Sequence, residues 1–173
     1  MNYKAKLNYI KALVLDVDGV LTDGSVLLLP DGNMTRTMNT RDGYAMQLAI
    51  KKGYPIAVIT GGKDESVKQR LNGLGITDVY LGSSYKKDDL EDFLAKYDLD
   101  ADEVAYMGDD IPDLEVMNMV GLPCCPKDAA PEIRNMALYV SQVEGGRGCV
   151  RDIIEQWLKV QNNWTEDTHI TSA

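Results

Sequence analysis

Short apolar runs alternate with stretches of helical spacing along most of the chain. Ala12-Leu13-Val14-Leu15 is apolar without interruption and stops at Asp16-Val17-Asp18-Gly19, the pattern of a strand buried on both faces. Two extended runs follow, Val26 to Leu29 and Met34 to Asn39, around Pro30-Asp31-Gly32-Asn33, and Asp-Gly between such runs predicts a β-hairpin. Asp42 stands where an N-cap would open a helix from about Gly43 to Lys52, with Ala45, Leu48 and Ala49 on one face and Gly53 at its end. Strands are then predicted at Ile56 to Ile59, Val79 to Leu81, Val104 to Met107, around Leu122, and at Leu138 to Val140. Helices are predicted between and after them, at Asp64 to Leu74 (with Gly75 as its stop), Asp88 to Tyr97, Pro112 to Met119, Ala129 to Ala137 and Val150 to Val160.

Repeated strand-helix units predict an α/β fold, a parallel sheet with helices on both faces, and here a hairpin flap follows the first strand. A single domain over residues 1–160 is expected. The polar, aperiodic segment 161–173 is read as a loose tail.

Composition narrows the function. Of 173 residues, 45% are hydrophobic and 26% charged, which is ordinary for a globular chain, and no apolar run approaches the roughly 18 residues that span a bilayer. Met1 to Lys11 lacks the order of a signal peptide, so a cytoplasmic protein is expected, without a membrane. The net charge of -9 disfavours nucleic acid as a partner. It also repels a phosphate ester, so a site for one needs a metal and local cations. Cys124, Cys125 and Cys149 make neither a C-x-x-C pair nor an even set, and they read as buried thiols. His169 is the lone histidine and lies in the tail, which argues against a Ser-His-Asp triad or a histidine metal site.

In parallel sheets ligands bind at the carboxyl ends of the strands. The residues just past the predicted ends are Asp16 and Asp18, Thr60 with Gly61 and Gly62, Ser83 to Lys87, and Gly108-Asp109-Asp110. Acids brought so close repel unless a cation sits among them, and hard oxygen donors without histidine suit Mg2+. The set has the parts phosphoryl transfer needs. Asp16 can attack phosphorus, and Asp18 can protonate the leaving oxygen. Thr60 and nearby backbone N–H groups can hold phosphoryl oxygens, and Lys86 can neutralise them. Asp109 can complete the metal shell, while Asp110 and Asp113 can hold waters or orient Lys86. Taken singly, each motif also has a plain explanation: D-x-D or T-G-G as a turn, Lys86-Lys87 as a solvated face, and G-D-D-x-x-D as a helix cap. Their order after successive strands sets them apart from coincidence.

Asp16-Val17-Asp18-Gly19-Val20, Thr60, Lys86 and Gly108-Asp109-Asp110-Ile111-Pro112-Asp113 resemble the four motifs of the haloacid-dehalogenase-like phosphohydrolases. The resemblance runs from about Lys11 to Trp157. It implies a Rossmann-like sheet of five or six parallel strands extended by the hairpin, with Asp16 as nucleophile, Asp18 as acid/base, and Mg2+ held by Asp16, the Asp18 carbonyl and Asp109. Motif lysine is Lys86 by register, with Lys87 as the alternative.

Neither the Asp18–Thr60 nor the Thr60–Lys86 interval has room for a cap domain. The site is then open in a monomer, and closure must come from a neighbouring subunit or from a large substrate. Val20-Leu21-Thr22-Asp23-Gly24, Thr40-Arg41-Asp42-Gly43 and Gly145-Gly146-Arg147-Gly148 look like the capless 3-deoxy-D-manno-octulosonate (KDO) 8-phosphate phosphatases. That resemblance implies a homotetramer, with Arg41, Asp42, Gly43 and the stretch near Gly146 approaching a sugar acid. Arg41 suits a carboxylate clamp, although an ordinary surface ion pair explains it equally well. After Thr60-Gly61-Gly62 the subgroup usually shows Arg. Here Lys63 keeps the charge but loses the fork, which leaves nine-carbon sugar-acid 9-phosphates open as substrates. Two other classes compete. A receiver domain also collects acids, a Thr and a Lys, but in a different strand order, and a non-catalytic binding protein would not need the intact set.

Overall fold

The structure, a computed structural model, describes residues 2–171 and 173. Met1 and Ser172, which fall within the segments Met1 to Lys11 and 161–173 read above, lie outside the described residues. The chain runs α1 (Tyr3–Leu7), β1 (Ala12–Leu15), the hairpin strands β2 (Leu27–Leu28) and β3 (Met34–Thr35), α2 (Thr40–Lys51), β4 (Ile56–Ile59), α3 (Glu65–Gly73) and β5 (Asp78–Tyr80). It continues through α4 (Lys86–Tyr97), β6 (Val104–Met107), α5 (Leu114–Met117), β7 (Leu122–Cys125), α6 (Pro131–Met136), β8 (Tyr139–Val140) and α7 (Cys149–Val160). Six strands form one parallel sheet in the order β5-β4-β1-β6-β7-β8, and β2 pairs with β3 antiparallel outside it.

Strand periodicity of two sorts the core into two layers. Leu13, Leu15, Ile56 and Val58 pack under α1, α2, α3 and α7, whereas Ala12, Val14, Ala57, Ile59 and Tyr106 pack under α4, α5 and α6. Helix α7 buries Val150, Ile153, Ile154, Trp157 and Leu158, one stripe at helical spacing, and the Trp157 indole N–H donates to the Ile10 carbonyl at 3.0 Å. The chain winds from β1 towards β4 and β5, then returns to place β6 on the other side of β1. The topological switch therefore lies between the carboxyl ends of β1 and β6, where Asp16 and Asp109 stand.

Three local expectations need correction. Asn39, not Asp42, caps α2: it is extended, and its side chain accepts from the Arg41 N–H at 2.8 Å, so the helix starts before Asp42. The helix expected at Pro112 to Met119 is a 3-10 turn (Ile111–Asp113) followed by the short α5, because the Asp113 side chain folds back onto the Asp109 N–H at 3.0 Å. The segment after Val160 is not free of the body. Gln161 Nε2 donates to the Leu7 and Ile10 carbonyls at 2.7 and 2.8 Å, Trp164 meets Tyr44 edge-on, and Asp167 pairs with Lys51. The composition of this segment is polar, but it carries Trp164 and Ile170, which pack against the core.

Candidate active site

Strand β1 ends by aiming Asp16 into a cleft of about 620 Å3 that Asp18, Thr60, Lys86 and Asp109 also line. The Asp16 Oδ1 accepts from the Val17 N–H at 2.7 Å and lies 3.0 Å from Lys86 Nζ. Gly19 has φ +84, and a Cβ there would stand 1.9 Å from Asp109 Oδ2, so only glycine lets the β6 acid approach the β1 loop. Thr22 is buried behind this loop, and its Oγ1 accepts from the Gly19 and Gly24 N–H groups.

Lys86 opens α4, and its ammonium bridges Asp16 and, at 2.7 Å, Asp113. Asp113 is fully buried. Its Oδ1 also accepts from the Tyr106 hydroxyl at 2.8 Å, and its Oδ2 from the Asp109 N–H. Gly108 is a close-approach position, since a Cβ there would meet Asp113 Cβ at 2.5 Å. Thr60 is buried at the end of β4, and its Oγ1 accepts from the Gly62 N–H at 3.1 Å. Lys87 instead points to the surface, 4.0 Å from Glu91.

Charge in the cleft is unbalanced. Burial and the neighbouring Asp113 push the Asp16 carboxyl well above its ordinary range, against the pull of Lys86. Burial, then Asp113 and Asp110, push Asp109 to about 7. Burial alone would lower Lys86, but the Asp16 and Asp113 carboxylates outweigh it and hold its pKa above the usual value. Asp16, Asp109 and Asp113 offer carboxylate oxygens within 4.8 Å of one another, a hard donor set that fits Mg2+. Both oxygens of Asp113 already accept hydrogen bonds, which leaves Asp16 and Asp109 as the better ligands. The Asp18 carboxylate is engaged elsewhere, by the Arg36 guanidinium.

The haloacid dehalogenase-like hydrolase family matches residues 75–151. Over 162 residues the chain is 40% identical to 3-deoxy-D-manno-octulosonate 8-phosphate phosphatase KdsC of Escherichia coli (strain K12), covering 94% of this chain and 86% of that one. The chain belongs to this phosphatase family. Among solved members, the Yersinia pestis enzyme superposes with a TM-score of 0.90 at 36% identity, covering 92% of this chain and 86% of that one. The Moraxella catarrhalis enzyme, solved in complex with magnesium ion, phosphate ion and KDO, gives 0.89 at 32% identity over 92% of each chain. The expected capless parallel architecture is thus the family's fold.

Within this single chain, the structure brings Asp16, Asp18, Thr60, Gly61, Gly62, Lys86 and Asp109 together and leaves five expected residues outside the cleft. Arg41 is exposed on the first turn of α2. Asp42 and Gly43 are buried, and Asp42 faces α7, where its Oδ1 accepts from the Arg151 N–H at 2.8 Å. Lys63 lines a neighbouring groove of about 700 Å3 beside the hairpin. Gly146 packs behind the loop that follows Asp16, donating to the Val20 carbonyl at 2.9 Å, and a Cβ there would stand 2.4 Å from Asp23 N. Sequence reasoning missed Arg36, whose guanidinium pairs with Asp18. It also missed Tyr106, whose hydroxyl sits inside an apolar strand run that gave no sign of it.

Proposed function

We propose that this chain hydrolyses a sugar-acid phosphate, KDO 8-phosphate, by way of an aspartyl-phosphate on Asp16. The observation that carries the reading is Asp16 at the end of the central strand, ion-paired with Lys86 and close to Asp109, in a member of this phosphatase family.

An Asp16 carboxylate oxygen bonds to phosphorus while the ester P–O bond breaks, and Asp18 gives its proton to the leaving oxygen. Asp18 then takes a proton from water, which attacks phosphorus. The Asp16–phosphorus bond breaks, and inorganic phosphate leaves. Thr60, the backbone at Gly61 and Gly62, and Lys86 hold the phosphoryl oxygens. Mg2+, held by Asp16, Asp109 and the Asp18 carbonyl, supplies charge neutralisation for the phosphoryl group and the crowded acids.

The cleft has no cap, and the hairpin exposes Leu27, Leu28 and Met34 beside it. A homotetramer in which neighbouring copies cover these residues and close the site accounts for both features. Arg41, exposed on α2, then acts on substrate only through such an assembly, whereas Asp42 and Gly43 are buried, Asp42 against α7, and serve the fold. The working compartment is the cytoplasm; among the described residues no helix is long and apolar enough to cross a membrane.

Phosphate release with Mg2+ tests the reading, with KDO 8-phosphate compared against a nine-carbon 9-phosphate and an aryl phosphate. Preference for the eight-carbon ester is expected. Preference for the nine-carbon ester would reassign the substrate.

A further inference from the structure

The hairpin reaches the chemistry through one side chain. Arg36 follows β3, and its Nε and Nη2 donate to the two carboxylate oxygens of Asp18 at 2.6 and 3.1 Å. Its side chain is only 8% exposed, although neighbouring hairpin residues are open to solvent. The fork is held from behind by Asp64, whose Oδ2 lies 3.6 Å from Nη1 and has no hydrogen-bond partner of its own. It lies over the Thr60-Gly61-Gly62 turn, and a Cβ on Gly62 would come within 3.2 Å of Nη2. Arg36 is thereby wedged between the loop that carries Asp18 and the loop that carries Thr60.

We infer that Arg36 is a positioning residue for Asp18, an assignment that rests on the reading of Asp18 as the acid/base. Asp18 has two rotatable side-chain bonds, and 38% of its side chain is exposed at the cleft mouth. Nothing else hydrogen-bonds its carboxylate among the described residues. A bidentate guanidinium fixes both the place and the plane of a carboxylate, which a single donor cannot do. With Arg36 present, Asp18 meets the leaving oxygen from one direction. Without it, the carboxylate samples rotamers that miss the reacting atoms. Because Arg36 belongs to the flap, the flap's seating sets the acid's position.

The test is leaving-group dependence. Arg36→Met keeps the aliphatic stem and removes the fork. With an alkyl sugar phosphate, whose leaving oxygen needs a proton, kcat/KM is expected to fall about 10- to 100-fold. With p-nitrophenyl phosphate, whose leaving group needs none, the fall is expected to stay within about 3-fold, because kcat/KM reports only the steps through phosphoryl transfer. Arg36→Lys should restore part of the alkyl activity. In an Asp18→Asn background the Arg36 change should add nothing, since the two act as one unit. Equal losses on both esters, or additive losses in the double variant, would overturn the inference and leave Arg36 a structural staple of the hairpin. If Asp18→Asn alone shows no leaving-group dependence, the acid/base reading fails instead, and the two failures stay distinct. A thermal melt of Arg36→Met checks that the fold persists, and Arg36→Lys carries the same test if it does not.

Discussion

Asp42 offers a sharp test of whether the R-D-G stretch serves the fold or the ligand. It is 1% exposed between α2 and α7, one of its oxygens accepts the Arg151 N–H, and the other has no partner. Burial raises its carboxyl pKa from 3.8 to about 6, against the smaller opposing pull of the Arg151 backbone and charge. Between those values the folded state binds more protons than the unfolded chain. Stability is therefore highest below pH 3.8, falls as pH rises towards 6, and is level above that, as far as this one group determines it. The shift of roughly two pKa units corresponds to about 3 kcal/mol at most. In a chain of this size that is a melting-temperature change of about 6–12 °C. Urea or thermal melts from pH 4 to pH 8 on the wild type and on Asp42→Asn measure it. The Asn side chain does not titrate and keeps an oxygen for the Arg151 N–H. The stability difference between the two proteins should change by up to that amount across the range, always in favour of the variant at higher pH. Parallel curves would refute the claim that Asp42 is a buried, strained carboxylate.

Further outcomes follow from the cleft and the flap. Gly19→Ala forces a Cβ into Asp109 at positive φ, so Mg2+-dependent turnover should collapse, measured as phosphate release over a Mg2+ titration. Lys86→Met leaves two buried carboxylates without their shared cation and should cost about 3–5 kcal/mol in urea melts without Mg2+. Part of that loss should return on adding Mg2+, because the cation replaces the missing charge. Leu28→Lys on the exposed hairpin should reduce the proposed homotetramer to smaller species by light scattering and lower activity with it; a wild-type monomer at micromolar concentration would remove closure by a neighbour.

The sheet and its carboxyl edge were legible because each strand is a short apolar run that ends in chemistry. Asp16, Thr60 and Asp109 stand one or two residues beyond β1, β4 and β6, so placing the strands placed these residues at one edge of the sheet. Register favoured Lys86 but left Lys87 open as the alternative, and the fold sets Lys86 towards Asp16 and Lys87 towards Glu91. Contacts that cross the chain without local periodicity could not be read. Arg36 meets Asp18 across the hairpin, and nothing in Thr35-Arg36-Thr37 marks it. Asp42 resembles a cap by spacing, but Asn39 competes for the same helix start and takes it. Gly145 and Gly146 suggested close approach to a ligand; the close approach is to the backbone of the Asp18 loop, where a Cβ on Gly145 would stand 1.9 Å from the Gly19 carbonyl oxygen. The tail's polar composition hid two anchors: Trp164, which meets Tyr44 of α2 more than a hundred residues away, and Ile170, which packs against the core.

The covalent role of Asp16 is the centre of the account, and rapid acid quenching during turnover with 32P-labelled KDO 8-phosphate and Mg2+ addresses it directly. Wild-type protein should retain label on the peptide containing Asp16, and Asp16→Asn should retain none and release no phosphate while melting at a similar temperature. Turnover by well-purified Asp16→Asn, or label found on another residue, would contradict the mechanism.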